Sequence, residues 1–120
     1  MTSILRVLLT VATIATGSAA AFAAASNMPT QYQPDPALKT ASMADLRARV
    51  SQACSITQAK MQGVTEVSLS RKCECYAGRT MRAMSADEVQ SYRDTGVFND
   101  TARAKALAAI DSCKLQRPQI

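Results

Sequence analysis

Histidine and tryptophan are absent from the 120-residue chain, aromatic side chains make up 4 % of it, and glycine and proline occur four times each. Without histidine no Ser-His-Asp or Cys-His arrangement can form, and the commonest ligand for zinc and for Cu(II) is missing. Few aromatic rings mean little large-area burial per side chain, so the core must be thin. Scarce glycine leaves long uninterrupted stretches, and the abundant Ala, Leu, Met, Arg, Lys and Gln favour helices. No apolar run beyond the N-terminal region approaches the roughly 20 residues that a membrane-spanning helix needs.

The N-terminal text has the order of an export signal. A single early cation, Arg6, precedes the apolar stretch 7–15, and small residues follow up to Ala25. That is the n-region, h-region and cleavage zone of a signal peptide, with small-x-small sites ending at Ala23 and at Ala25. Residues 1–25 are expected to be removed, giving a periplasmic or secreted protein with no transmembrane segment in the mature chain. No cysteine stands directly after either cleavage site, so lipid anchoring is not indicated. About 95 residues remain, enough for one domain with a modest core. Their net charge falls from +5 to +4, because Arg6 leaves and all nine acids stay. This mild excess is less than a dedicated nucleic-acid binder carries, and export also argues against nucleic acid as partner.

Residues 26–40 contain Pro29, Pro34 and Pro36 among polar residues with no apolar period, and read as an extended arm. A helical domain over 41–116 and a short tail over 117–120 complete the organisation. The first long helix follows Ser42, whose spacing to Asp45 resembles a capping box, and stops at Gly63. Its expected core face carries Met43, Leu46, Val50, Ala53, Cys54, Thr57 and Met61, with Arg47 outside or at the edge. A second long helix is expected over 65–84, with Leu69, Cys73, Tyr76, Ala77, Thr80 and Met84 inward. Its opposite side gathers Arg71, Lys72, Arg79 and Arg82. Ser85-Ala86-Asp87-Glu88 is a second capping box, opening a short helix that ends at Gly96. Asn99 or Asp100 can cap a fourth helix over 101–115, with Ala102, Ala106, Ala109, Ile110 and Cys113 on one face. Phe98 is placed as a lid over the bundle end. The predicted fold class is therefore all-α: a small disulfide-stapled bundle of two long helices, a short third and a fourth.

Four cysteines in an exported domain of this size read as a disulfide framework. Residues two apart on a helix point about 200° apart, so Cys73 and Cys75 must serve different partners. Folding the first two helices antiparallel about Gly63 brings Cys54 nearly level with Cys73, both on core faces. Cys54–Cys73 with Cys75–Cys113 is the preferred pairing, and Cys54–Cys75 with Cys73–Cys113 is the alternative. Each bridge should remove denatured-state entropy worth about 3–4 kcal/mol.

These residues contain no catalytic constellation, no cofactor motif and no metal site of the usual kind. The expected function is a non-enzymatic envelope or secreted binding module whose cations Arg71, Lys72, Arg79 and Arg82 meet an unidentified protein or an anionic envelope surface. The alternative is a thiol-redox or soft-metal protein built on Cys73 and Cys75. The flanking cations would favour a thiolate at Cys75, and Met81 and Met84 could add sulfur ligands for Cu(I). Against it, Cys-x-Cys is not the Cys-x-x-Cys of thiol-disulfide enzymes, and Cys75 faces away from Met84.

Overall fold

Asp35 and Pro36 start the first helical turn of the described residues. A computed structural model describes residues 33–119; the expected signal peptide 1–25 and residues 26–32 of the expected arm lie outside the described residues. The Asp35 carboxylate accepts from the Ala37 amide at 3.0 Å and Pro36 supplies a preset φ, so Pro36–Thr40 winds into a 3-10 turn. The turn buries Leu38 to 4 % exposure in the core. Asp35 also pairs with Arg49 at 2.9 Å, and Arg93 Nη2 donates to the Ala41 carbonyl at 2.7 Å. Residues 36–40, expected as part of the extended arm, are therefore a 3-10 turn, because Leu38 is apolar enough to be drawn onto the helices.

Helix α1 (Met43–Gln62) begins where Ser42 Oγ accepts from the Asp45 amide and ends at Gly63, whose φ of 66° is the left-handed cap. Its buried residues Leu46, Val50, Cys54 and Gln58 form one i, i+4 row. Met43, at 46 % exposure, together with Ala53 and Thr57, stands outside this row. Helix α2 (Ser70–Ala83) starts five residues later than its sequence pattern suggests. Ser68 Oγ donates to the Thr65 carbonyl and Ser70 Oγ to the Val67 carbonyl, holding Val67–Leu69 as a 3-10 turn in place of the first helical turn.

The Ser85 capping box forms in both directions: Ser85 Oγ accepts from the Glu88 amide, and the Glu88 carboxylate accepts from the Ser85 amide. It opens helix α3 (Ala86–Thr95), which closes on Gly96 at φ 74°. Asn99 Oδ1 accepts from the Ala102 amide and opens helix α4 (Asp100–Ser112). That helix stops short of 115 because Lys114 turns left-handed at φ 57°. The turn lets Leu115 donate back to the Ile110 carbonyl and bury its side chain.

Two apolar clusters fix how the helices run. Leu46 and Val50, early in α1, meet Ala77 and Met81, late in α2, together with Ala102 at the start of α4. At the other end Cys54 meets Leu69 and Cys73, with Ile110 and Cys113 from the end of α4. Helix α2 is thus the centre of an all-α bundle and runs antiparallel to both α1 and α4. Helix α3 packs against the Pro36–Thr40 turn. No strand occurs among the described residues.

Candidate functional site

The cysteines set the rigidity of whatever the bundle carries. Cys54 joins Cys73 with Cα atoms 5.6 Å apart, and Cys75 joins Cys113 with Cα atoms 5.9 Å apart; no cysteine is free. The Cys73-Glu74-Cys75 spacing thereby sends two staples from one central helix, to α1 and to the end of α4. Met81 and Met84 are buried in the apolar core, and the two sulfurs of Cys73 and Cys75 sit in separate bridges.

The outer side of α2 is cationic. Arg71, Cys75, Gly78 and Arg82 follow the i, i+4, i+7, i+11 row, so they stack along one stripe about 16 Å long. Together with Arg79, Glu74 and Arg47 from α1 they line a groove of about 320 Å³. Of the four cations expected on this side, Arg71, Arg79 and Arg82 line the groove, whereas Lys72 is exposed beside it. Arg47, which the α1 wheel puts at the margin of the core face, is brought here by the α1–α2 packing. The signal for it was weak: a cation next to a core leucine on a helix destined to pack against the cationic one.

Gly78 explains how the guanidinium groups come together. It lies buried in the interior of α2, and a Cβ added there would meet Arg47 Nη2 at 3.3 Å and Arg82 Nη1 at 3.3 Å. Both nitrogens lie that far from one point, so their separation is at most twice this distance. The ion pairs among the described residues use Arg49, Lys105 and Arg117, and none of Arg47, Arg71, Arg79 and Arg82 has a side-chain partner there. Four uncompensated cations thus share one concavity with a single carboxylate, Glu74, in its lining. Like charges this close repel, and an anion placed among them removes the repulsion.

A second concavity of about 620 Å³ is apolar, lined by Val50, Tyr76, Tyr92, Phe98, Leu107 and Ile110 among others, with Arg103 as its one charged member. Phe98 packs on Tyr92 with ring centroids 5.0 Å apart. Burial pushes the Tyr76 phenol above the usual tyrosine value; nearby Tyr92 adds to this and Thr80 opposes it. At its edge the buried Gln58 side chain donates to the Gln116 carbonyl at 2.7 Å and accepts from the Gln116 amide at 3.1 Å. This amide clamp holds the C-terminal tail, and Arg117 secures it further by pairing with Asp111.

The fold and this site together define a small helical bundle with two disulfides and a cationic groove. Comparison with protein-family models, curated proteins and solved structures finds no match. The groove is read from its own chemistry.

Proposed function

We propose that the protein is an exported, non-enzymatic binding module that engages an anionic envelope surface through the α2 groove. One observation carries this reading: Arg47, Arg71, Arg79 and Arg82 converge without carboxylate partners on helices that a disulfide holds together. The helices that carry these arginines are already fixed to each other, so they need no backbone rearrangement to meet an anion, and the arginines have no carboxylate partner to give up. Export, inferred from residues 1–25, places such a surface within reach, and the two disulfides are compatible with it.

Sedimentation with phosphatidylglycerol-containing vesicles tests the proposal. The unreduced protein should bind and release as salt is raised, and Arg71→Glu/Arg82→Glu should remove binding. Lys39→Glu/Arg103→Glu changes the net charge equally at residues outside the groove lining and should weaken binding far less. Equal loss in both variants would mean that net charge acts without the groove.

The thiol or soft-metal alternative requires Cys73 and Cys75 to be reduced first. Thiol titration of the unfolded, unreduced protein should find no reactive sulfur; two or more thiols would reopen that alternative.

A further inference from the structure

The geometry points to a phosphoryl-binding subsite over Gly78, in which the guanidinium groups of Arg47 and Arg82 hold one phosphomonoester dianion between them. The inference rests on the anionic-surface reading and names the group that the surface or its soluble counterpart must present.

Glycine inside a helix sacrifices stability relative to alanine. Gly78 gains nothing in return from its backbone, since the glycines with positive φ are Gly63 and Gly96. What its missing Cβ provides is the space into which Arg47 Nη2 and Arg82 Nη1 both reach. The two arginines come from different helices, α1 and α2, which Cys54–Cys73 joins. The bundle therefore fixes, before any ligand arrives, the separation of the two helices from which they reach.

The number of donors selects the ligand. A carboxylate carries a single negative charge, which one bidentate guanidinium already balances, so a second at the same point leaves an uncompensated positive charge. A phosphomonoester offers three terminal oxygens and a charge approaching −2, enough to accept from both at once. Arg71 and Arg79 extend the field along the same groove, and Glu74 is the one lining group of opposite sign.

The test is NMR titration of the 15N-labelled, unreduced protein with inorganic phosphate, sulfate and acetate. Phosphate and sulfate should move the Gly78 amide and the Arg47 and Arg82 Nε–H resonances along single-site curves, with acetate at least tenfold weaker. Lowering the pH from 7.5 to 5.5 protonates phosphate to the monoanion and should weaken its binding several-fold, while sulfate binding stays constant. The chain has no histidine, the side chain whose ordinary pKa falls in this window, so the change belongs to the ligand. Arg47→Lys keeps the charge but removes the planar fork, and Gly78→Ala fills the space. Arg47→Lys should weaken phosphate binding about tenfold, and Gly78→Ala should weaken it measurably by displacing both guanidinium groups by a few tenths of an ångström.

Equal affinity for acetate and phosphate, or unchanged phosphate binding in both variants, overturns the subsite. If vesicle binding survives in that case, the cationic-face reading stands alone; if it is absent too, both fall. Vesicles containing phosphatidic acid distinguish the source of the group. Preference for them over phosphatidylglycerol at equal mole fraction assigns it to a lipid headgroup, and phosphate binding without that preference assigns it to a soluble phosphomonoester.

Discussion

Gln58 continues the inward row of α1 after Leu46, Val50 and Cys54, yet it is polar and 4 % exposed. Its amide replaces the hydrogen bonds that water would give the Gln116 backbone, so burial is compatible with its chemistry. Gln58→Ala should lower stability by about 1–2 kcal/mol and release the tail, measured by urea unfolding and by amide exchange at Gln116. Glu88 is a second buried polar residue with two duties. Its carboxylate accepts from Lys105 Nζ at 2.8 Å while capping α3, and the Lys105 hydrogen bond is the first cause holding its pKa below the ordinary 4.5. A carboxylate whose folded pKa is depressed stabilises the protein above the unfolded value and loses that contribution as the pH falls through the folded one. Wild type should therefore melt above Glu88→Gln at pH 7, and the gap should close as the pH drops below about 4.5. A gap independent of pH would remove the ion pair from the explanation. Neither Gln58 nor Glu88 is marked as buried by the sequence, because a polar residue's burial depends on a partner 58 or 17 positions away.

At the scale of elements, local hydrogen-bond chemistry was the legible part. Ser42, Ser85 and Asn99 each cap the helix expected of them, since a cap involves residues three apart and needs no tertiary contact. The start of α2 and the end of α4 were not legible. Ser68 and Ser70 divert their hydroxyls to backbone carbonyls, and Lys114 adopts a left-handed conformation that its type disfavours. Two substitutions of opposite sign follow. Lys114→Gly should raise stability by about 0.5–1 kcal/mol, because the left-handed turn then carries no Cβ penalty. Gly63→Ala should lower it by about 1 kcal/mol through φ alone, as nothing lies within 4 Å of the added Cβ. Thermal unfolding measures both.

For the whole molecule, the bridges compensate for a core poor in aromatic rings. The Cys75–Cys113 bridge closes a separation of 38 residues and Cys54–Cys73 one of 19. On loop entropy, removing the first should cost about 4 kcal/mol and the second about 3. Cys75→Ala/Cys113→Ala is the cleaner experiment, because Cys75 is half-buried whereas Cys73 is fully enclosed. Chemical denaturation of that double variant should show an unfolding free energy reduced by most of this amount. A loss below about 1 kcal/mol would mean that helix packing, not the staple, limits unfolding. The same variant should loosen the end of α4 while leaving α1 and α2 joined.

Composition, capping and the helical period determined the class by themselves: an all-α bundle, its helix order, and a central helix with cysteines directed to two sides. Each of these depends on residues within a few turns of one another. Only the tertiary structure decided that Leu38 belongs to the core, that Gln58 holds the tail, and that Arg47 joins Arg71, Arg79 and Arg82 over Gly78. The wheel of one helix gives the direction of a side chain but not the residue it meets. That is set by the rotation and height at which α1 packs on α2, which the buried Leu46–Val50–Cys54 row and the Cys54–Cys73 bridge fix only once the chain has folded.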